Sequence, residues 1–202
     1  MNSINFRGKS VTPSKVVCVG RNYVEHIQEL GNEMPSQMVL FNKPNSAITN
    51  ELRFFSQTHR FECELCYIVA SSKIVGVGIG LDLTNKEAQE YAKQKGLPWE
   101  RAKAFDGSAV LSDFIEFQGE LKDLSFELKI NGKLQQEGNY DLMIYKPDVI
   151  LKEIKSFMSL EDNDIIMSGT PKGVGSYKIG DRFEATVFEN EKELLKAEWM
   201  VL

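Results

Sequence analysis

The 202-residue sequence has no apolar run close to the roughly 18 residues of a membrane span, and its first residues lack the apolar core of a signal peptide. It also lacks an excess of positive charge: 24 Lys and Arg stand against 29 Asp and Glu, a formal net charge of -5. Because nucleic-acid binding needs clustered positive charge, we expect neither a nucleic-acid partner nor a membrane partner.

Cysteine is scarce, and the three cysteines are an odd number that does not indicate a disulfide framework. Cys63 and Cys66 form a C-x-x-C pattern in a predicted strand, where residues three apart face opposite sides. Their sulfurs should not converge, and no second pair completes a zinc site. We therefore expect buried core cysteines and a reducing, cytoplasmic compartment.

The length, with 42% apolar and 26% charged residues, is typical of one globular domain, which we expect to cover residues 1–202. Strands are predicted at 15–20, 61–69, 74–83, 164–167, 182–188 and 193–201, and a hairpin at Asn131-Gly132. Helices are predicted at 22–30, from a capping box at 84–87 to Gly96, and at 148–160. Many strands with few, irregularly spaced helices favour an α+β fold.

Three carboxylates stand in otherwise apolar segments. Glu62 and Glu64 are two residues apart in a predicted strand and share one face, and Asp82 is alone in the next apolar run. Burying unpaired carboxylates is costly unless a cation compensates them, and an all-oxygen set selects Mg²⁺, Mn²⁺ or Ca²⁺. A half-exposed strand with two solvated glutamates is the alternative; Asp82 favours the metal.

Two glycine-rich segments have other interpretations. The segment 76–80 reads G-x-G-x-G within a continuous strand, so it favours close packing of another chain segment over a dinucleotide site. The segment 169–175 follows an apolar strand and predicts a tight loop. Its N–H groups and the Thr170 hydroxyl could hold a carboxylate, although an ordinary Gly-Pro turn explains it equally well.

Two charged pairs are candidates for proton transfer. His26 and Glu29 lie three apart on the first predicted helix, where the carboxylate would make the imidazole a better base. Lys103 and Asp106 follow later, and a lysine near three carboxylates and a divalent ion would balance the surplus negative charge. Each pair, taken alone, is also typical of a solvated surface.

The order of motifs from Gly20 to Gly175 resembles that of the fumarylacetoacetate hydrolase family: G-R-N-Y-x-x-H-x-x-E, F-x-K-P, E-x-E, D-L-T-x-x-x-x-Q, K-x-F-D and G-T-P-x-G-V-G. The resemblance implies a mainly β, mixed-sheet roll or barrel and a homodimer. It implies that Mg²⁺ or Mn²⁺ is bound by Glu62, Glu64 and Asp82. It also implies three catalytic residues: His26, Glu29 and Lys103. Four further residues are implied to contact the substrate: Arg21, Lys43, Gln89 and Thr170.

The activity expected from this resemblance is metal-dependent hydrolysis of the C–C bond of acylpyruvates, 2,4-dioxo acids such as fumarylpyruvate or acetylpyruvate, to pyruvate and a carboxylic acid. The alternative is an oxaloacetate tautomerase or decarboxylase, or a dioxo-acid isomerase, using the same metal–enolate site. The sequence departs from the family pattern at 60–61, at Val110 and at Lys86. These positions bear on which substrate is bound rather than on the metal ligands. A non-catalytic keto-acid-binding domain and a nicotinamide-dependent oxidoreductase are weaker hypotheses.

Overall fold

The computed structural model describes residues 1–24 and 37–202. Most of the helix predicted at 22–30, with His26 and Glu29, lies outside the described residues. The strands are β1 (Ile4–Phe6), β2 (Lys9–Val11), β3 (Lys15–Gly20), β4 (Val39–Pro44), β5 (Ile48–Thr49), β6 (His59–Arg60), β7 (Cys63–Ala70), β8 (Lys73–Asp82), β9 (Thr84–Asn85), β10 (Ala109–Leu111), β11 (Ile115–Glu116), β12 (Leu124–Ile130), β13 (Lys133–Asn139), β14 (Ile165–Met167), β15 (Arg182–Glu189) and β16 (Lys192–Met200). The α-helices are α1 (Lys86–Lys95), α2 (Glu100–Lys103) and α3 (Pro147–Phe157).

Most of the strands form one large mixed sheet and a smaller antiparallel sheet, while β1 pairs with β2 and β6 pairs with β9 in two further two-stranded sheets. The large sheet has the order β4-β3-β14-β7-β8-β10-β5, with β11 also paired to β8, and β14 runs parallel to β3 but antiparallel to β7. The smaller sheet has the order β13-β12-β15-β16. The prediction of a mainly β, mixed-sheet α+β fold is confirmed. Among the described residues no helix is long and apolar enough to cross a membrane.

Alternation along β7 and β8 divides the apolar side chains between two core clusters. Leu65 and Ile79 pack in the larger cluster with Phe126 and Phe183 of the smaller sheet, and Cys63 lies in this cluster too. Cys66 lies in the second cluster, so the two sulfurs face opposite sides as predicted. All three cysteines are free and buried.

The glycines of β8 admit close neighbours. A Cβ on Gly78 would lie 2.9 Å from the Phe114 ring, and one on Gly80 would lie 2.8 Å from Leu111. Both distances are shorter than real Cβ contacts, so the bare strand face is needed for packing, as the sequence predicted.

The capping box predicted at 84–87 is corrected in one respect. The N-cap of α1 is Asn85, whose side chain accepts a hydrogen bond from the backbone N–H of Ala88, rather than Thr84. The Thr84 hydroxyl donates instead to Glu62 Oε1 at 3.0 Å. Gly96 ends the helix in the left-handed conformation, with φ of 64°, as expected for a C-terminal glycine.

Asp164 fixes the chain just before β14 to the start of β3. Its Oδ1 accepts hydrogen bonds from the Ser14 N–H, the Ser14 hydroxyl and the Lys15 N–H, and its Oδ2 accepts from Lys15 Nζ at 2.5 Å and from the Glu161 N–H. Burial alone would raise the pKa of Asp164, but these bonds lower it.

Replacing Asp164 with alanine should reduce the free energy of unfolding by about 2–4 kcal/mol, because several donors lose their acceptor. The lowered pKa makes this contribution fully present above the unfolded-state pKa of about 4 and lost as the pH falls through the folded-state pKa. Denaturant unfolding of wild type and Asp164→Ala at neutral and acid pH should show the difference shrinking in acid. A difference that grew in acid would contradict the assignment.

Candidate metal centre

Antiparallel pairing of β7 and β8 brings the three predicted carboxylates together. Glu62 lies just before β7, Glu64 lies on it, and Asp82 ends β8. The Asp82 N–H donates to the Glu62 carbonyl at 2.8 Å, which fixes the register. One oxygen from each side chain lies within 4.8 Å of the others. This spacing and the all-carboxylate donor set fit one hard divalent cation.

Lys103, at the end of α2, forms ion pairs with two of these three carboxylates. Its Nζ lies 2.7 Å from both Glu62 Oε2 and Asp82 Oδ2, and 5.0 Å from the centre of the Phe41 ring. Burial alone would lower the pKa of Lys103, but the two carboxylates raise it well above its usual value. The lysine therefore stays protonated, and its partners are these carboxylates rather than Asp106.

Lys43, on β4, is a second buried ammonium behind Asp82. Its Nζ lies 2.8 Å from Asp82 Oδ1 and donates to the carbonyls of Lys103 and Leu83. Burial alone would raise the pKa of Asp82, but Lys103 and Lys43 together lower it. Lys43 Nζ thus donates to two backbone carbonyls and is ion-paired with Asp82 Oδ1, a buried oxygen that accepts no hydrogen bond within the described residues, so a direct contact with substrate would have to displace one of these three groups.

Glu64 is the least compensated of the three carboxylates. Its side chain is buried, and burial, followed by the charges of Asp82 and Glu62, raises its pKa well above the usual value. The N–H of Gly169 donates to Glu64 Oε2 at 2.7 Å and opposes this shift. Three ionised carboxylates with two ammonium groups leave one excess negative charge, which a bound divalent cation would more than offset.

Gly169 holds Glu64 by a backbone geometry that favours glycine. Its φ is 97°, and a Cβ there would lie 2.7 Å from the Cβ of Asn22. The loop at 169–175 therefore binds a carboxylate through a backbone N–H, as one of its two interpretations predicted, and that carboxylate belongs to the protein.

The remaining predicted substrate contacts lie in different environments. Arg21 follows β3 directly with φ of 59°, an uncommon conformation for a non-glycine residue. Gln89 lies on the buried face of α1, and within the described parts of the chain neither side chain has a hydrogen-bond partner. The Thr170 hydroxyl is already used within the protein, donating to the Cys63 carbonyl at 2.8 Å.

Asn22, the first residue of the helix predicted at 22–30, links distant segments of the chain. It is fully buried, and its Nδ2 donates to the carbonyls of Ser168 and Tyr145 while its Oδ1 accepts from the Tyr145 N–H. Asn22 thereby ties the chain after β3 to the loop that holds Glu64. The N in G-R-N-Y was the available signal, but nothing in the sequence identified its partners.

Comparisons with known proteins agree with this architecture. Residues 15–198 match the family described as fumarylacetoacetate (FAA) hydrolase C-terminal. The chain is 38% identical over 194 residues to oxaloacetate tautomerase YcgM of Escherichia coli strain K12, covering 86% of this chain and 88% of that protein. It is 36% identical to the mitochondrial oxaloacetate tautomerase FAHD1 of Bos taurus over 190 residues, covering 85% and 86%.

A solved structure extends the likeness to the whole chain. Fumarylpyruvate hydrolase from Pseudomonas aeruginosa, in complex with Mn²⁺ and pyruvate, superposes with a TM-score of 0.88 at 27% identity, covering 100% of this chain and 95% of that one. The chain belongs to the fumarylacetoacetate hydrolase family. The fold and the acidic cluster are those expected from the resemblance, and the family includes both hydrolases and tautomerases by name.

Proposed function

We propose that this protein is a divalent-metal-dependent enzyme that interconverts the enol and keto forms of oxaloacetate. The observation that carries the proposal is identity of 36–38% over most of the chain to proteins named oxaloacetate tautomerase. The geometry supports it: with a divalent cation added, the three carboxylates and two ammonium groups would carry one net positive charge. Such a centre attracts an anionic oxo acid.

Glu62, Glu64 and Asp82 would hold Mg²⁺ or Mn²⁺, which when bound supplies Lewis-acid polarisation of the substrate's oxo and carboxylate oxygens. Lys103 keeps its proton at Nζ and stabilises negative charge that develops on the substrate's enolate oxygen. A cavity of about 410 Å³ lies beside Lys103, between β4 and the start of α2, and gives a small acid room. Phe41 and Trp99 form its aromatic wall.

Ketonisation requires the enol O–H to lose a proton and C3 to gain one. We assign this transfer to His26, with Glu29 as the carboxylate that would make its imidazole a better base; in the hydrolase expected from the sequence, His26 would instead take its proton from water. Arg21 and Gln89, whose polar groups have no partner in the described parts of the chain, are assigned to the substrate's carboxylate and oxo oxygens.

Acylpyruvate hydrolysis is the second candidate function. It is favoured by the TM-score of 0.88 to a fumarylpyruvate hydrolase that holds Mn²⁺ and pyruvate. Both reactions develop the enolate of a 2-oxo acid, pyruvate in the hydrolysis and oxaloacetate in the tautomerisation, so the same carboxylates and Lys103 would serve either one. Hydrolysis needs an additional water beside His26, whereas tautomerisation needs only proton transfer.

The discriminating experiment follows two signals in metal-stripped protein resupplied with Mg²⁺ or Mn²⁺. Ultraviolet absorbance reports decay of the oxaloacetate enol, and a coupled assay reports pyruvate release from oxaloacetate, acetylpyruvate and fumarylpyruvate. We expect metal-dependent enol decay without matching pyruvate release.

Free divalent cations also catalyse these reactions, so the control is the Glu64→Gln variant at the same metal concentration. Its rate of enol decay should not exceed the rate with the metal ion alone. Fast pyruvate release from an acylpyruvate, with slow enol decay, would replace the proposal with the hydrolase.

The homodimer and the cytoplasmic compartment stay predictions, which size-exclusion light scattering and cell fractionation would test.

A further inference from the structure

Gln136 is a buried glutamine on β13 that belongs to none of the motifs considered above. Its Oε1 accepts a hydrogen bond from the backbone N–H of Cys63 at 3.0 Å, and its Nε2 donates to Thr170 Oγ1 at 2.8 Å and to the Pro171 carbonyl at 3.0 Å. Thr170 Oγ1 in turn donates to the Cys63 carbonyl at 2.8 Å. Two side chains therefore hold both backbone polar groups of the one residue between the two glutamates.

The sheet topology explains why side chains are needed here. β14 ends at Met167, and the chain turns away at Gly169, so β7 has no strand partner on that side at its first residue. On the opposite side, Asp82 donates its N–H to the Glu62 carbonyl. Consecutive residues of an antiparallel strand direct their backbone groups to alternate sides. The N–H and C=O of Cys63 therefore point to the edge of β7 that pairs with β14 further along, at a position beyond the end of β14.

We propose that Gln136 is a positioning residue of the metal centre, which acts through the backbone of Cys63 and the hydroxyl of Thr170. Glu62 and Glu64 flank Cys63, so a displacement of this one residue moves two ligand side chains at once. Binding sites tolerate displacements of only about 0.5 Å. The inference rests on the metal dependence proposed above, but not on which oxo acid reacts.

The same hydrogen bonds connect three segments at one point. Gln136 comes from the smaller sheet, Cys63 from the large sheet, and Thr170 from the loop whose Gly169 N–H binds Glu64. The amide is suited to this point because it accepts from one segment and donates to another. An apolar side chain of equal length would leave the buried Cys63 N–H without its acceptor.

The test measures Mn²⁺ binding to the metal-stripped full-length chain by calorimetry, with the Mn²⁺ electron paramagnetic resonance spectrum as a report of ligand geometry. Gln136→Met should weaken Mn²⁺ binding by about 10–100-fold, the range for partners that orient metal ligands, and should alter the spectrum. Gln135→Met is the matched control: Gln135 also bonds the loop, at the Gly173 carbonyl, but is exposed and does not touch Cys63. It should bind Mn²⁺ as the wild type does.

Thr170 provides a second, independent pair of variants if Gln136→Met does not fold. Thr170→Val removes the hydroxyl at nearly constant shape and should weaken Mn²⁺ binding, whereas Thr170→Ser keeps the hydroxyl and should restore it. A folded Gln136→Met protein with wild-type Mn²⁺ affinity and spectrum, or a Thr170→Val protein that matches Thr170→Ser, would overturn the inference. Failure of the wild type itself to bind Mn²⁺ would instead overturn the metal dependence on which it rests.

Discussion

Lys103→Met should lower kcat by about 10²–10³-fold, the cost of removing one preorganised donor to a developing oxyanion, without weakening Mn²⁺ binding. The Lys103 ammonium lies 2.7 Å from Glu62 and Asp82, so its charge opposes a cation held by the same carboxylates. Its removal should therefore leave the dissociation constant for Mn²⁺ unchanged or smaller. Enol-decay kinetics and calorimetry on the same preparation measure both quantities.

The opposite effects on turnover and binding separate two roles of Lys103. A lysine that only held the carboxylates in place would, when removed, weaken Mn²⁺ binding in parallel with kcat, and that result would contradict the proposed role. Lys129→Met is the control, because Lys129 pairs with Glu127 at the surface at 3.1 Å and is remote from the acidic cluster in sequence. Its kcat and Mn²⁺ affinity should match the wild type.

Much of the fold was predictable because its signals are local. The predicted strand at 15–20 coincides with β3, and Asn131 and Gly132 both have positive φ in the predicted hairpin between β12 and β13. The convergence of Glu62 and Glu64 follows from the period of a strand, and the single carboxylate of Asp82 in an apolar run indicated its burial.

The contacts around these carboxylates were not predictable from local patterns, since they join residues far apart in the chain. Lys43 was assigned to the substrate by resemblance, which stays a prediction, and nothing in the sequence indicated that its ammonium lies 2.8 Å from Asp82. Thr84 fits the N-terminus of a helix in sequence, yet its hydroxyl bonds Glu62 across 22 residues. Gln136 lies 73 residues from Cys63, in a hairpin whose sequence shows only strand character. Sheet topology decides each of these partners.

Asp82→Asn should destabilise the metal-free protein by about 3–5 kcal/mol, the usual cost of removing one partner from a buried ion pair. Asp82 compensates two buried ammonium groups: Lys43 is fully buried, and Lys103 has only 3% of its side chain exposed. The neutral amide leaves both without this charge, and it replaces one anionic ligand of the cation with a weaker, uncharged amide oxygen. Denaturant unfolding in the presence of a chelator and Mn²⁺ calorimetry should show both losses.

Glu198→Gln is the matched control for Asp82→Asn. Glu198 also bridges two cations, Arg182 and Lys196, each at 2.8 Å, but it does so at the surface, where solvent screens the charges. Its stability should stay close to that of the wild type. An equal loss in both variants would contradict the assignment of the cost to burial.

The double variant Asp82→Asn with Lys43→Met tests the cause directly. If the cost of Asp82→Asn comes from the stranded Lys43 ammonium, then removing that ammonium should recover part of the lost stability, although Mn²⁺ binding stays weak. Additive losses would mean that Asp82 stabilises the sheet by other contacts. Recovery of stability without recovery of binding would show that Lys43 serves the charge balance of the site, since an apolar side chain at this position serves the fold as well.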